Sequence, residues 1–343
     1  MPLKIWLPAI RALSGGDVYV RRLAAALSKA GADPVIEWLP HSYQYFPQLL
    51  HGHRKPADAD IVDANSWIAF AFRRPGLPLV ATALHCVYKR GYPEWKSRPQ
   101  AIYHDYLVGM FERRSFSRAD ATIAISQSTH DEVMEDFAPR RIQTIPLWVD
   151  VDRYTPARGS TASAKASRPS RILIVGNMSR RKGGDLIAPF CDALGPSFEV
   201  TVVAGLRGDT PDVSPRGASL SFLKGLSESE LIGQYQGADI VVSLSRHEGF
   251  GYTALEGMAC GKPVVAFRVS GLKDVIEDGE TGWLVDVDDV AAMARACHVL
   301  RLDPPKAAEL GEKGRERAIR LFSEDVAAAA HLDLYQSLLD TRP

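Results

Sequence analysis

The chain has 343 residues, which exceeds one ordinary core and fits two domains of roughly 150 to 170 residues each. Its 41 Lys and Arg residues balance 41 Asp and Glu residues, so no net positive charge favours a nucleic-acid partner. No apolar run of about 18 residues and no apolar leader is present, so we expect a cytoplasmic protein without a membrane-spanning helix.

The first half alternates short runs rich in Val, Ile and Leu with segments of helical periodicity, a pattern typical of βαβ units with a parallel sheet. In residues 16–30, Val20, Leu23 and Leu27 recur at spacings of three and four, which predicts an amphipathic helix that packs on this sheet. Strands are predicted at residues 4–7, 34–38, 60–62, 79–82, 121–125 and 141–145.

Residues 155–170 are rich in Ser, Ala, Pro and Arg without apolar periodicity, the composition of a linker. After this linker the rhythm resumes and predicts a second doubly wound sheet. From Val290 the pattern is helical to the end, and a last helix at about residues 324–339 is long enough to return to the first domain. Strands of the second sheet are predicted at residues 171–176, 199–205, 238–245, 262–267 and 282–286.

Neither a disulfide framework nor a metal site is predicted. Cys86, Cys191, Cys260 and Cys297 form no C-x-x-C pair, so we expect reduced and mostly buried thiols. The D-x-D triplets at residues 58–60, 150–152 and 286–288 are short enough to recur by chance, and we expect solvated acids rather than metal ligands there.

The stretch SRHEGFGYTALEGMACGKPV, residues 245–264, places Glu248 and Glu256 eight positions apart. On one straight helix this spacing would separate the acids by about 12 Å and about 80°, which suits no shared chemistry. The glycines between them favour a loop, with Glu248 after a strand and Glu256 inside a helix that begins near Tyr252. The two acids then flank the start of a helix.

A helix start offers unpaired N–H groups and a partial positive charge, and therefore a site for phosphate. Gly249 and Gly251, on either side of Phe250, allow a ligand to approach the backbone closely. Because carboxylates accept hydrogen bonds from hydroxyls, acids on the two sides of a diphosphate could hold a sugar on one side and a ribose on the other. The residues therefore predict a nucleotide-sugar site.

This stretch resembles the E-x7-E signature of retaining glycosyltransferases with the GT-B fold, in the large fourth sequence family, also called group 1. The family pattern is approximately S-x-x-E-G-F-G-x-x-x-L-E-A-M-A-x-G-x-P-V-V-A, and Gly257 replaces its usual Ala. The resemblance continues through residues 270–285, where Asp274 replaces a usual Glu. The matching positions are Ser245, Glu248, Gly249, Phe250, Gly251, Leu255, Glu256, Met258, Ala259, Gly261, Pro263, Val264, Val265 and Ala266.

The resemblance implies an α/β chain with two Rossmann-like, doubly wound parallel-sheet domains that face a central cleft, and a C-terminal helix that returns to the N-terminal domain. We expect an acceptor-binding domain at residues 1–155 with helix 326–343, a linker at 156–169 and a donor-binding domain at 170–325. The implied activity is retaining, metal-independent transfer of a hexose-type sugar from a UDP- or GDP-sugar to a hydroxyl of a glycan or lipid-linked acceptor. Bacterial polysaccharide or lipopolysaccharide assembly is the implied pathway, and no cofactor besides the nucleotide-sugar substrate is expected.

Two features of the first half resemble parts of the family's site. Gly15 and Gly16 resemble its N-terminal glycine loop, which approaches the donor phosphate, although an ordinary strand-to-helix turn is an alternative. His85 follows a predicted strand, and the resemblance places it over the donor sugar, with a structural histidine as the alternative.

The run RILIVGNMSRRKGGDLI resembles the family's strand, glycine and basic loop. Gly176 ends the strand, and Lys182 matches the lysine that binds the diphosphate. Asn177 stands where an Arg is usual, so Arg180 or Arg181 is a candidate to supply the missing charge. A solvated basic turn is the alternative for Arg181.

The roles implied by the resemblance need no protein nucleophile or general base, because a donor phosphate oxygen can take the acceptor proton. The predicted catalytic residues are Glu248, Lys182 and His85. The predicted donor-binding residues are Gly15, Gly16, Gly176, Arg180, Arg181, Lys182, Glu248, Gly249, Phe250, Gly251, Tyr252 and Glu256.

Two other functions are alternatives to transfer. Two acids at one site could mean a retaining glycoside hydrolase, but that enzyme would need carboxyl groups about 5 Å apart and would leave the phosphate-type loop without a purpose, so we do not expect hydrolysis. A catalytically weak nucleotide-sugar-binding partner subunit remains open, because Asn177 lacks a charge and Leu147-Trp148 replaces a usual Asn-Gly.

Two aromatic and basic segments, residues 41–55 and 102–118, are candidates to face the acceptor or the anionic inner surface of a membrane. A helix that packs in the core is the favoured interpretation of the second segment. Peripheral contact with a membrane is therefore a further prediction.

Overall fold

The structure is a computed structural model that describes residues 2–12, 15–54, 56, 58–86, 103–157, 168–204 and 215–341. The chain divides into two compact units. The N-terminal unit comprises Met1–Leu147 with Glu324–Pro343, and the C-terminal unit comprises Trp148–Ser323.

The N-terminal unit contains a six-stranded parallel sheet in the order β2-β1-β3-β4-β5-β6 among its described residues. In register, Trp6 of the first strand lies opposite Val62 of the third. The strands are β1 (Lys4–Ile10), β2 (Asp33–Leu39), β3 (Ile61–Asn65), β4 (Leu79–Ala83), β5 (Ala121–Ala124) and β6 (Ile142–Thr144). The helices are α1 (Gly15–Lys29), α2 (Gly109–Arg118), which continues a π-helical turn (Tyr103–Val108), and α3 (Gln127–Phe137).

The C-terminal unit contains a second six-stranded parallel sheet in the order β12-β11-β10-β7-β8-β9 among its described residues. Its strands are β7 (Ser170–Gly176), β8 (Phe198–Ala204), β9 (Ser219–Lys224), β10 (Ile240–Ser243), β11 (Val264–Phe267) and β12 (Trp283–Val285). Its helices are α4 (Ile187–Leu194), α5 (Glu228–Gly237), α6 (Tyr252–Ala259), α7 (Ser270–Val275), α8 (Val290–Leu302) and α9 (Pro304–Phe322).

The central strands of both sheets are buried on both faces. Every residue of β4, β5, β10 and β11 is buried, as expected for parallel strands covered by helices on each side. This is why the sequence shows them as continuous apolar runs. The edge strand β9 has no fully buried residue, and the apolar-run criterion did not predict it. Its alternation of Ser, Leu, Ser and Phe is the signal that marks it as a half-exposed strand.

The last helix, α10 (Glu324–Asp340), belongs to the N-terminal unit, as predicted. The Tyr335 hydroxyl donates to one carboxylate oxygen of Asp63 in β3 at 2.7 Å. The Thr82 hydroxyl donates to the other oxygen at 2.6 Å. Because all three side chains are buried, the helix is fixed to the centre of the sheet by directional polar contacts as well as by apolar packing.

Along the chain, the boundary between the two units lies between Leu147 and Trp148, whereas the sequence placed it near residue 155. The intervening residues pack in the C-terminal unit: Val149 donates its amide to the Phe322 carbonyl at 3.0 Å. The Tyr154 ring lies 6.1 Å from that of Tyr235. Most of the predicted linker, residues 158–167, lies outside the described residues. None of the helices that the structure describes is long and apolar enough to cross a membrane.

Two buried titratable groups of the N-terminal unit have opposite effects on how its stability depends on pH. Burial lowers the pKa of His331 to about 4, against the hydrogen bond that its Nδ1 donates to the Ala327 carbonyl at 2.7 Å. Burial also raises the pKa of Asp63 to about 6, against the hydrogen bonds from Thr82 and Tyr335. Acid therefore weakens the fold through His331, and rising pH weakens it through Asp63.

The free energy of unfolding of the wild type should decrease as the pH falls from 6.5 to about 4, and we expect this decrease to be smaller in His331→Gln. The unfolded histidine binds a proton across this range and the buried one does not, so the wild-type loss is up to about 3 kcal/mol. The Asp63 contribution is common to both chains. Denaturant midpoints measured against pH test this, with the exposed His41→Gln as the control. Equal acid losses in the His331 variant and the wild type would contradict it.

Candidate functional site

The loops that carry the predicted donor-site residues follow two neighbouring strands of the C-terminal sheet. β7 ends at Gly176, β10 ends at Ser243, and the two strands pair directly. The strand order changes direction between them, because β8 and β9 continue on one side and β11 and β12 on the other. Such a switch point opens a crevice at the carboxyl ends of the strands, where open α/β sheets bind ligands.

The segment after β7 forms a short 3₁₀ turn, Arg180–Lys182, that packs against the loop after β10. The turn is capped by Ser179, whose hydroxyl accepts a hydrogen bond from the Lys182 amide at 3.4 Å. It ends at Gly183, with φ +73°, and a Cβ atom there would overlap the carbonyl oxygen of Leu244. Only glycine fits this approach, which brings the basic side chains beside the loop after β10.

Lys182 and Glu248 form an ion pair across the two loops. Their side chains are only 20% and 13% exposed. Burial alone would raise the pKa of Glu248, but the positive charges of Lys182 and Arg181 and the hydrogen bonds from Lys182 and Ser245 together lower it below its ordinary value. The carboxylate is therefore ionised at neutral pH although water is largely excluded from it.

The structure distinguishes the two arginines of the basic turn. The guanidinium of Arg181 donates to the His247 carbonyl at 2.9 Å, and its charge helps to lower the pKa of Glu248. Arg180 is exposed, and Asn177 forms a hydrogen bond within its own turn. Arg181 is thus the arginine of this turn whose charge acts on Glu248.

Arg246 links three loops at this edge of the sheet. Its side chain is 6% exposed and donates to both carboxylate oxygens of Asp185, at 2.6 and 3.0 Å. It also donates to Asp288 at 2.5 Å and to the carbonyl oxygen of Arg180 at 2.7 Å. Because a guanidinium presents its donors in a rigid plane, this arrangement fixes the basic turn relative to the loop that carries Glu248.

The loop after β10 ends at Gly251, the N-cap of α6, with φ +113°. Helix α6 therefore begins at Tyr252, as predicted. Among the described residues, no protein acceptor binds the amides of Gly249, Phe250 and Gly251. Backbone N–H groups at a helix start are strong donors for an anion, so these amides can hold a phosphate.

The first residues of α7 hold this loop in place. The Gly271 amide and the Ser270 hydroxyl both donate to the carbonyl oxygen of Glu248, at 3.0 Å each. A Cβ atom at Gly271 would overlap the backbone nitrogen of Phe250. The Phe250 side chain is buried, with its ring 6.3 Å from that of Tyr252, so Phe250 can face a ligand only through its backbone.

Glu256 has a different environment from Glu248. It lies within α6, and the Tyr235 hydroxyl donates to its Oε2 atom at 2.9 Å. Both side chains are buried, and the Tyr235 ring packs against Tyr154. The first acid of the pair is therefore held among cations, and the second is oriented by a phenol.

Two of the three predicted residues of the N-terminal unit line a cavity of about 150 Å³. It lies beside β1, β3 and β4, where the strand order of this sheet changes direction. Gly16 and His85 line it, and Gly15 is the first residue of α1. The His85 ring lies 6.1 Å from that of Trp67. Apolar walls are formed by Leu7, Ile10, Val20, Leu23, Ile68 and Leu84.

The remaining polar motifs of the sequence have protein partners. All four cysteines are buried free thiols, as predicted. Within the D-x-D triplets, Asp58 forms an ion pair with Lys4, and Asp150 accepts hydrogen bonds from the amides of Asp152 and Arg153. These acids therefore serve local structure.

Two family descriptions match the chain. "Glycosyltransferase Family 4" matches residues 33–153, and "Glycosyl transferases group 1" matches residues 160–317. The alpha-maltose-1-phosphate synthase of Mycolicibacterium smegmatis is 30% identical over 314 residues, which cover 82% of this chain and 79% of that protein. The chain belongs to the group 1 glycosyltransferase family.

Other comparisons agree with this assignment. The D-inositol 3-phosphate glycosyltransferase of Xylanimonas cellulosilytica is 29% identical over 317 residues, 85% of this chain and 75% of that protein. A sucrose-phosphate synthase from Thermosynechococcus elongatus matches 99% of this chain and 100% of its own, with a TM-score of 0.81 at 22% identity. HepE of Anabaena in complex with UDP-glucose matches 98% of this chain and 100% of its own, with a TM-score of 0.76 at 17% identity. The predicted family and GT-B fold are confirmed.

Several residues that shape the site of this glycosyltransferase were absent from the sequence prediction. They are Tyr235, Arg246, Asp185, Asp288 and Ser270. Arg246 stands inside the recognised motif, but its carboxylate partners lie 61 and 42 positions away along the chain. No local pattern encodes such pairs, so only the folded chain reveals them.

We expect Arg246→Met to loosen the basic turn without unfolding the C-terminal unit. Losing the guanidinium leaves Asp185 and Asp288 without a common partner, so amide hydrogen exchange at Lys182 and Gly183 should accelerate roughly tenfold or more. Arg246→Lys should behave similarly, because an ammonium cannot bridge three acceptors in a plane. The control is Arg268→Met, which removes the ion pair with Asp278 elsewhere in the unit. Unchanged exchange in both Arg246 variants would show that the turn does not depend on this side chain.

Proposed function

We propose that this protein is a retaining, metal-independent hexosyltransferase that uses a nucleoside diphosphate sugar and no cofactor. The observation that carries the proposal is the ion pair of Lys182 with the ionised Glu248, beside the amides of Gly249–Gly251, which have no acceptor among the described residues. A diphosphate needs cations and N–H donors, and a sugar needs a carboxylate acceptor. The C-terminal unit offers all three at the switch point of one sheet.

In this proposal Lys182 and Arg181 stabilise the negative charge that grows on the leaving diphosphate, together with the amides at the start of α6. Such groups accelerate a reaction because they are oriented before the charge develops, and because water is largely excluded around them. Arg246 acts indirectly, by holding the basic turn in place.

The sugar and the nucleoside are assigned to the remaining predicted residues. Glu248 accepts hydrogen bonds from donor-sugar hydroxyls, and Glu256, oriented by Tyr235, accepts from the ribose hydroxyls. His85 contacts the sugar from the N-terminal unit, near Gly15 and Gly16. The acceptor hydroxyl attacks the anomeric carbon on the face that the diphosphate leaves, and a phosphate oxygen of that leaving group takes its proton.

The names and bound ligands of similar proteins bear on the two substrates. HepE was solved with UDP-glucose, which supports a UDP-hexose donor, while a GDP-hexose remains the alternative. One relative is named for D-inositol 3-phosphate and another for alpha-maltose 1-phosphate, which supports transfer to or from phosphorylated, hydroxyl-rich molecules. For this chain we propose a glycan or lipid-linked acceptor on the cytoplasmic side, in bacterial polysaccharide or lipopolysaccharide assembly.

A catalytically weak partner subunit that binds a nucleotide sugar is the second candidate, because Asn177 carries no charge where the family has Arg. The position of Arg181 favours a working site, since its charge acts on Glu248. Turnover distinguishes the two functions.

We expect Lys182→Met and Glu248→Gln each to lower kcat/KM for the donor roughly a hundredfold or more, because each removes a charge that acts on the reacting sugar or diphosphate. The control is Lys313→Met, which breaks an exposed pair with Glu280 in the same unit and should leave kcat/KM unchanged. Donor cleavage is measured with UDP-, GDP- and ADP-hexoses. Donor binding without turnover in the wild type would favour the partner subunit.

The stereochemical and metal assignments have separate readouts. Proton NMR of the product of an α-linked donor should show an α-linkage, and a β-linked product would overturn retention. Addition of a chelator should not change the rate, whereas loss of activity that Mg²⁺ or Mn²⁺ restores would overturn metal independence.

A further inference from the structure

The N-terminal unit exposes large apolar side chains from two adjoining segments. One segment is the pair of 3₁₀ turns at His41–Gln44 and Pro47–Gly52, where Leu49 is 68% exposed. The other is the π-helical turn before α2, where Tyr106 is 75% exposed. We call the exposed set the apolar face, and it comprises Tyr45, Phe46, Leu49, Tyr106, Leu107 and Met110.

Contacts between the two segments join these side chains into one surface. The rings of Tyr45 and Tyr103 lie 5.3 Å apart, and the Tyr103 hydroxyl donates to the Gln44 carbonyl at 2.7 Å. Tyr106 and Leu107 follow Tyr103 by one helical turn. The predicted core-packing role of this segment also holds, because other side chains of α2, such as Phe111, are buried.

Three arginines border the apolar face on α2, and none of them forms an ion pair with a described carboxylate. Arg113 lies over the Phe137 ring at 5.4 Å, and Arg114 lies over the Phe70 ring at 5.9 Å. Arg118 donates to the Phe70 carbonyl at 3.4 Å. All three are exposed, and no carboxylate of the described residues pairs with their charges.

The positive charges of arginines on this side of the unit also act on His51, in the second 3₁₀ turn. Burial lowers the pKa of His51, and the positive charges of Arg118, Arg74 and Arg114 lower it further. The His51 ring lies 5.6 Å from that of Phe70, the ring over which Arg114 also lies. The apolar face and a positive potential therefore occupy the same side of the N-terminal unit.

We propose that the apolar face docks on an anionic lipid bilayer, with its apolar side chains between the headgroups and Arg113, Arg114 and Arg118 on lipid phosphates. Charge complementarity favours this occupant. The aromatic and aliphatic side chains match the apolar acyl region of the bilayer, and the arginines beside them match its negatively charged headgroups. Tyrosines suit this boundary because one end of the ring is apolar and the other is polar. The inference goes beyond the proposed transfer, since docking requires no working donor site.

The test is co-sedimentation of the full chain with vesicles, measured as the fraction bound at a series of lipid concentrations. We expect binding to vesicles of phosphatidylcholine mixed with phosphatidylglycerol, little binding to phosphatidylcholine alone, and loss of binding as salt rises. Equal binding to both vesicle types, or binding to neither, would overturn the proposal.

Two double variants separate the apolar and charged contributions. Phe46→Ser with Leu49→Ser removes apolar groups, and Arg113→Gln with Arg114→Gln removes charge. Each pair should reduce the partition coefficient roughly tenfold or more, and the arginine pair should also reduce the salt dependence.

The controls are matched in chemistry but lie on the C-terminal unit. Val299→Ser with Leu302→Ser removes exposed apolar groups of α8, and Arg295→Gln with Arg320→Gln removes exposed charge. Both control pairs should bind vesicles like the wild type. Equal loss of binding in a control pair and its matched test pair would show that the apolar face has no special role.

Sedimentation velocity without lipid tests a protein occupant. A monomer supports the proposal, while a dimer that the Phe46 and Leu49 changes abolish would identify the face as a contact between two copies. Donor cleavage measured in parallel keeps the two proposals separate: it should survive both face variants, and its absence in the wild type would contradict the proposed transfer without affecting docking.

Discussion

The ion pair between Lys182 and Glu248 is the interaction on which the site depends. Each charge would be costly to bury alone, and each is stabilised by the other, so the two loops that carry them must come together for the Glu248 carboxylate to stay ionised. Arg181 adds a second positive charge on the same side of the carboxylate. A diphosphate that enters this place would meet cations already held in position, and a carboxylate that need not change its protonation state.

Topology explains why these loops are neighbours. In each unit the strand order reverses between two adjacent strands, β1 and β3 in one sheet and β10 and β7 in the other. The connections leave such a pair of strands in opposite directions, so the loops at their carboxyl ends are not covered by a crossover helix. Local chemistry then refines the geometry: Gly183 permits close contact of the basic turn with Leu244, and Arg246 fixes that contact with hydrogen bonds to two other loops.

The fold and the centre of the site can be predicted from short-range patterns in the sequence. The side-chain pairs that hold the site residues in place cannot. Apolar runs identify the buried strands because both faces of those strands are covered, but β9 lies at an edge with half-exposed side chains and escapes that criterion. The start of α6 is predictable because glycines and an apolar run lie within a few residues. The partners of Arg246 and Glu256 are distant in sequence, so their pairing becomes visible only when the sheet assembles. Trp148 is buried where the family usually has Gly, and it belongs to the C-terminal unit, so the unit boundary lies before the predicted linker.

The different environments of Glu248 and Glu256 make chemical sense for a single elongated ligand. A carboxylate near a departing sugar benefits from cations that keep it ionised and hold it still, and Lys182 and Arg181 do this for Glu248. A carboxylate that accepts hydrogen bonds from two neighbouring hydroxyls needs a fixed orientation more than it needs a nearby cation. The Tyr235 hydrogen bond to Oε2 supplies that orientation. Because a carboxylate accepts several hydrogen bonds at once, the contact with the phenol is compatible with the ribose contact assigned to Glu256.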